Sequence, residues 1–144
     1  MALLLILNMQ LVEKYNLMPM YEVLRHYSNH NAAVIFLAQA GHESGWGKSN
    51  LCKKTRKNWW GVKSEIYGTE YQIWYTYEQA ARRFTDLLKR KYPNALRAAK
   101  EADIEDYVYW LKKGGYFEDS EERYLAGVKR YLGILTKKEA KDGK

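Results

Sequence analysis

The first residue with obvious chemical use is a carboxyl at the end of an apolar run. From Ala32 the chain reads "AAVIFLAQAGHESGWGKS". Val34, Leu37, Ala38 and Gly41 share one helical face, with Phe36 and Ala40 beside it. A helix apolar on nearly every side is a buried one. This one delivers Glu43 to a break built from Gly45, Trp46 and Gly47. Burial disfavours the charged carboxylate, and the negative end of a helix does the same, so both raise its pKa. A carboxyl that keeps its proton near neutral pH is a general acid. Trp46 is placed either to roof it or to pack the hinge as a core residue. Two more carboxylates follow in an aromatic stretch, Glu65 in "VKSEIY" and Glu70 in "YGTEYQ".

Other chemistries find less support. A single cysteine, Cys52, rules out an intramolecular disulfide framework. Its basic setting, "LCKKTRK", has no partner that would make it a nucleophile. His26, His30 and His42 show no metal-ligand spacing. No metal or organic cofactor is implied. The net charge of +7 favours an anionic partner. The lysines and arginines are scattered, and no nucleic-acid motif accompanies them. The 13 Tyr and 5 Trp are numerous for 144 residues, so some rings are expected at the surface, where their polar atoms meet water.

Several elements must position these groups. A chain of 144 residues with 47% apolar content suits one domain, residues 1–136, ending in a charged tail, residues 137–144. Residues 2–15 suit a first helix, with Leu3, Leu7, Gln10 and Leu11 on one face. A short helix runs through "YEVLRHY", and "SNHN" supplies N-cap residues for the apolar helix. Residues 53–77 are dense in aromatic and β-branched residues, with Gly61 and Gly68 at turns, and predict a small β-hairpin or irregular lobe. Helical pattern resumes at Glu78 (Ala80, Ala81, Phe84, Leu87, Leu88) and ends before Pro93. A further helix carries Ile104, Tyr107, Val108 and Leu111 and stops at Gly114 and Gly115. A last one carries Tyr124, Val128, Tyr131, Leu132 and Leu135, with Glu118 and Asp119 as capping candidates. A cleft between a helical body and a small lobe is a natural binding site.

Three segments carry a resemblance. "AQAGHESGWGKSNL", then "NWWGVK", then "GYFEDSEERY" resemble, in order, the signature elements of the bacterial cell-wall glucosaminidases. These are the flagellar and autolysin-type peptidoglycan hydrolases, related to the lysozyme superfamily. The likeness covers residues 32–132. Trp59 and Trp60 stand where the family has Leu and Phe, the lobe is short, and two residues are inserted after Asp119. The resemblance implies a mainly α, lysozyme-like fold with a shortened hairpin lobe beside the active-site cleft. It implies Glu43 as general acid, and Glu70 or Glu65 as the second carboxylate, unless the substrate's own 2-acetamido group is the nucleophile. Tyr116 and Tyr124 match the family's active-site tyrosine. Trp46, Asn58, Trp59, Trp60, Tyr71 and Trp74, with Tyr75, are the substrate-binding candidates. Of the tandem tryptophans, Trp60 is expected to pack and Trp59 to be the more exposed.

The function so implied is hydrolysis of N-acetylglucosaminyl-β-1,4-N-acetylmuramyl bonds in peptidoglycan. A muramidase or lytic transglycosylase of the same superfamily is the neighbouring alternative. A wall-binding module without catalysis, or a basic nucleic-acid-binding protein, are alternatives of another class. The expected partner is the glycan strand, met by a monomer. The N-terminal "MALLLILNMQ" has neither a basic leader nor a cleavage site and is too short to span a bilayer. The expectation is synthesis in the cytoplasm and action on the wall, as for a phage-type endolysin released through a membrane lesion.

Overall fold

The computed structural model describes residues 4–66, 68 and 70–137. Among these, eight helices make a mainly α, lysozyme-like body around one central element, α3 (His30–Ser44). Every residue of α3 from Asn31 to Gly41 is buried, so it is apolar all round because neighbours cover it all round. Asn29 starts it, its side chain accepting the Ala32 N–H at 2.8 Å. Three helices run closest along α3: α2 (Met18–Tyr27), α6 (Pro93–Lys100) and α8 (Glu121–Leu135). Outside them, α5 (Tyr77–Lys91) packs on α2, and α7 (Ile104–Lys113) on α6 and α8.

The patterned helices form as their sequences predict. In α5, Thr76 caps the first turn, and Ala80, Ala81, Phe84, Leu87 and Leu88 are buried. Asp103 caps α7, which buries Tyr107, Val108 and Leu111. In α8 the cap is Ser120, which accepts the Arg123 N–H at 3.1 Å. The expected capping by Glu118 or Asp119 is therefore corrected by one position: Asp119 accepts from the N–H of Ser120 instead. Two short helices, α4 (Asn50–Thr55) and α6, were not foreseen.

The N-terminal expectation is also corrected. Only α1 (Met9–Lys14) is helical there, and Leu4 to Asn8 are not. Their backbone finds partners across the molecule rather than within a turn. Leu7 bridges Thr136, the Asn8 N–H donates to Leu135 O at 2.7 Å, and the Lys137 N–H donates to Ile6 O at 2.8 Å. These bonds engage backbone at the end of α8, where a helix leaves its last carbonyls free. Ala2, Leu3 and nearly all of the expected charged tail lie outside the described residues.

Between α4 and α5 lies the small lobe, residues 56–76. The expected hairpin is reduced to isolated bridges, Lys63 with Tyr71 antiparallel and Arg56 with Trp74 parallel. Its shape comes from side chains. Asn58, fully buried, donates through Nδ2 to Val62 O and Gln72 O, both at 2.9 Å, and accepts the Val62 N–H at 3.1 Å. Trp60 lies flat on Phe84 of α5, centroids 4.5 Å apart, and donates its indole N–H to Phe36 O at 2.8 Å. That pair fixes the lobe against both α5 and α3. No helix among the described residues is long and apolar enough to cross a membrane.

Candidate active site

Glu43 sits in the last turn of α3, and the chain leaves that turn through an abrupt reversal. Gly45, Trp46 and Gly47 all have positive φ, +58°, +58° and +82°. Glycine adopts this freely, but a side chain there costs about 1–2 kcal/mol. Trp46 is kept in place by its indole N–H, which donates to Leu37 O at 2.8 Å, and by the rings of Tyr15 and Tyr131 at 4.9 and 5.3 Å. It does not line the cleft with Glu43. Of the two readings of Trp46, the packed hinge is the one found, and the roof over the acid is not.

The half-buried Glu43 opens onto a cleft of about 470 Å³, within the usual size of a ligand site. The lobe forms one wall, through residues 61–65. The α7–α8 connection forms the other, through residues 115–118. Leu87 and Lys91 of α5 and the ring of Tyr92 complete it. A second, wider groove of about 680 Å³ runs between the lobe and α5 and contains Glu70, Tyr71, Tyr75, Arg83 and Arg90. Val62, Ser64, Glu65 and Leu87 border both.

The Tyr124 hydroxyl donates to Oε1 of Glu43 at 2.6 Å. Burial raises the Glu43 pKa, and this hydrogen bond offsets part of the rise. Tyr124 itself is pushed well above the usual phenol range by burial and by the neighbouring carboxylate, so it stays a neutral donor. Phe117 stacks on its ring face to face, centroids 3.8 Å apart and 4° from parallel, and His42 meets it edge-on at 4.9 Å. Behind Tyr124 the bonds continue inward. Gln39 Nε2 donates to the Tyr124 oxygen at 3.0 Å, and the fully buried Tyr107 donates to Gln39 Oε1 at 2.5 Å.

Tyr116 also reaches this site. Its ring lines the cleft, and its hydroxyl is sealed from solvent with no hydrogen-bond partner among the described residues. Burial first, and the charge of Glu43 second, hold its pKa well above the usual value.

The two candidate second carboxylates are separated. Glu65 lines the cleft with Glu43, and Glu70 lines only the neighbouring groove. Glu65 is exposed and bound to Arg90 at 2.8 Å, which lowers its pKa. Arg90 is steadied in turn by Asp86 at 3.3 Å. One cleft thus holds a carboxyl pushed up by desolvation and another held down by a guanidinium.

Most of the aromatic candidates are interior. Trp60 and Trp74 are each 1% exposed, Trp59 is 6% exposed and Asn58 is fully buried. Trp59 is the more exposed of the tandem pair, as expected, yet it too is buried: its ring packs edge-on to Tyr77 and against Gly47, where an added Cβ would fall 2.5 Å from the indole nitrogen. Trp74 satisfies its indole N–H on Gln72 Oε1. Tyr71, 38% exposed, and Tyr75, 61% exposed, keep surface for a ligand. Sequence reasoning missed Gln39, Tyr107, Tyr92 and Phe117. Gln39 had a signal, being the one polar residue inside the apolar run and one helical turn before Glu43.

A family model described as mannosyl-glycoprotein endo-beta-N-acetylglucosaminidase matches residues 18–137. The chain belongs to the glucosaminidase family. The matched span runs from α2 through α8 and contains every residue of the cleft. The family is one of glycoside hydrolases, and the mainly helical fold accords with it. No curated protein and no solved structure matches the chain. Among the described residues no group of three or more His, Cys, Asp or Glu is placed to hold a metal ion.

Proposed function

We propose that this chain cleaves the β-1,4 bond between N-acetylglucosamine and N-acetylmuramic acid in peptidoglycan glycan strands. The observation that carries the proposal is Glu43: a desolvated carboxyl, bonded to Tyr124, opening on a cleft beside a carboxylate of opposite character. Protonated Glu43 gives its proton to the departing glycosidic oxygen as the bond from the anomeric carbon breaks. Positive charge grows on the sugar ring in that step. Glu65, kept ionised by Arg90, supplies negative charge in the same cleft. Two environments that drive carboxyl pKa values apart are the usual basis of such a division of labour. The attacking group is then either a water that passes its proton to Glu65 or the substrate's own acetamido oxygen. Lys63 and Lys91, on the cleft wall, suit the carboxylates that muramyl units and their peptides carry. Tyr71 and Tyr75 line the neighbouring groove, which shares the Glu65 wall and has room for the strand past the scissile bond.

End-group analysis tests this. Purified peptidoglycan is digested, reduced with borohydride and hydrolysed to its sugars. New reduced N-acetylglucosamine is the expected product. Reduced N-acetylmuramic acid would assign a muramidase, and 1,6-anhydro ends a lytic transglycosylase. No new ends at all would refute a glycosidase.

A further inference from the structure

The bonds behind Glu43 have a direction, and chemistry dictates it. An ionised Glu43 has no proton and only accepts. Tyr124, 2.6 Å away, must then spend its single proton on Oε1 of Glu43. The Tyr124 oxygen is left as acceptor, so the group of Gln39 facing it at 3.0 Å must be the amide nitrogen. The amide oxygen of Gln39 is thereby turned to Tyr107, whose proton it accepts. The order is Tyr107 to Gln39 to Tyr124 to Glu43, every donor aimed at the carboxyl. Gln39 and Tyr107 are 0% exposed and Tyr124 is 3% exposed, so water does not compete for these bonds.

The same order persists when Glu43 takes up a proton. Reversing it would require the buried amide of Gln39 to turn over and donate to Tyr107. The Tyr107 proton would then lose its only acceptor in a dry interior, a costly loss. With the order held, Oε1 accepts the Tyr124 proton, and a carbonyl oxygen accepts better than a carboxyl O–H, so the Glu43 proton is favoured on Oε2. Oε2 has no hydrogen-bond partner among the described residues. We infer that Gln39, anchored by Tyr107, is a positioning residue that acts through Tyr124 to keep the acidic proton of Glu43 on Oε2, the oxygen free for the cleft. This rests on Glu43 being the general acid. In the reaction the Oε2 proton passes to the leaving oxygen and the carbon–oxygen bond breaks. The carboxylate that forms is already hydrogen-bonded at Oε1.

The test is a double-mutant cycle on a soluble peptidoglycan oligosaccharide, comparing wild type, Gln39→Met, Tyr124→Phe and the double variant. Gln39→Met, close in shape but without donor or acceptor, is expected to lower kcat at least about tenfold with KM unchanged. That is part of the roughly 10²–10⁴-fold a positioned general acid supplies. In the Tyr124→Phe background the same change is expected to cost less than about twofold. Gln39→Glu keeps the shape and covers the case in which Gln39→Met fails to fold. Its carboxyl can replace the amide only when protonated, so activity near wild type at acid pH should fall as pH rises. The other titratable or charged groups around Glu43 are His42, Tyr92, Tyr116, Glu65, Lys63, Lys91 and Glu118. They are common to all variants, so the added pH limb of Gln39→Glu against wild type reports position 39. An equal kcat loss in both Tyr124 backgrounds, or wild-type kcat in Gln39→Met, overturns the inference. So does a Gln39→Glu pH profile that matches wild type. A wild-type rate in Glu43→Gln would instead overturn the general-acid reading itself, so the two failures are distinct.

Discussion

Asn58→Ala should damage the lobe far more than its size suggests. One side chain supplies three hydrogen bonds, two donated to Val62 O and Gln72 O at 2.9 Å and one accepted from the Val62 N–H at 3.1 Å. Ladder bonds are scarce here, since single bridges are all that pair the lobe's backbone among the described residues. At about 1 kcal/mol net for each bond, the loss is about 3 kcal/mol. It should not be less, because Asn58 is fully buried and Val62 is 8% exposed, so water does not readily replace the missing partners. For a domain of this size that is a fall in Tm of roughly 6–12 °C. Thermal melts and urea titrations measure the global effect. Amide exchange at Val62 and Gln72 shows whether the lobe opens locally first. Glycosidase activity should fall with it, since lobe residues form one side of the cleft. A loss below about 1 kcal/mol with unchanged exchange would refute the claim that Asn58 organises the lobe, and would reopen it as a sugar contact.

The other expectations concern the carboxyls and the α3–α8 contact. A Cβ on Gly127 would fall 2.1 Å from Nδ1 of His42, whose ring is wedged against Tyr124. Overpacking of about 1–3 kcal/mol against about 1 kcal/mol of regained helix propensity leaves Gly127→Ala up to about 2 kcal/mol less stable in a melt, with reduced activity. Glu43→Gln keeps an acceptor for Tyr124 and removes the charge. Because the folded protein binds the Glu43 proton more tightly than the unfolded chain does, wild-type stability falls as pH rises from the ordinary glutamate value through the raised one. The variant should therefore match wild type in acid, surpass it above that window and hold the gain to neutral pH. Equal pH–stability curves would contradict a desolvated Glu43. Glu65→Gln should lower kcat on the order of 10²-fold if its charge stabilises the ring cation. Glu70→Gln, in the neighbouring groove, should change it little, and the reverse ranking would reassign the second carboxylate.

Much of this was readable from local pattern. α3 announced itself by an unbroken apolar run, and α5, α7 and α8 by 3–4 spacing and capping residues. Glu43 was legible because the break after it is local: glycines flank one tryptophan. What escaped depends on distant partners. Residues 4–8 carry a helix-like apolar pattern, yet their hydrogen bonds go to the far end of α8. The eight-residue α6 opens on a proline that reads equally as an end, and its apolar face, Ala95, Leu96, Ala98 and Ala99, is mostly alanine. The lobe's aromatic rings could not be sorted into inside and outside by alternation, because no regular strand sets a period. Phe84 and the carbonyls of α3 decided it, drawing in Trp60, with Trp59 and Trp74 packed around it. Tyr107 gave no sign in the sequence of reaching Gln39, since that contact joins residues 68 positions apart.

The central claim is that Glu43 supplies the proton that cleaves the glycan strand. Its most direct test is the rate at which Glu43→Gln releases new reducing ends from purified peptidoglycan, beside wild type at equal folded concentration. The variant preserves the Tyr124 contact and removes only the ionisable proton. A fall of about 10²-fold or more is predicted. Release at the wild-type rate would contradict the account.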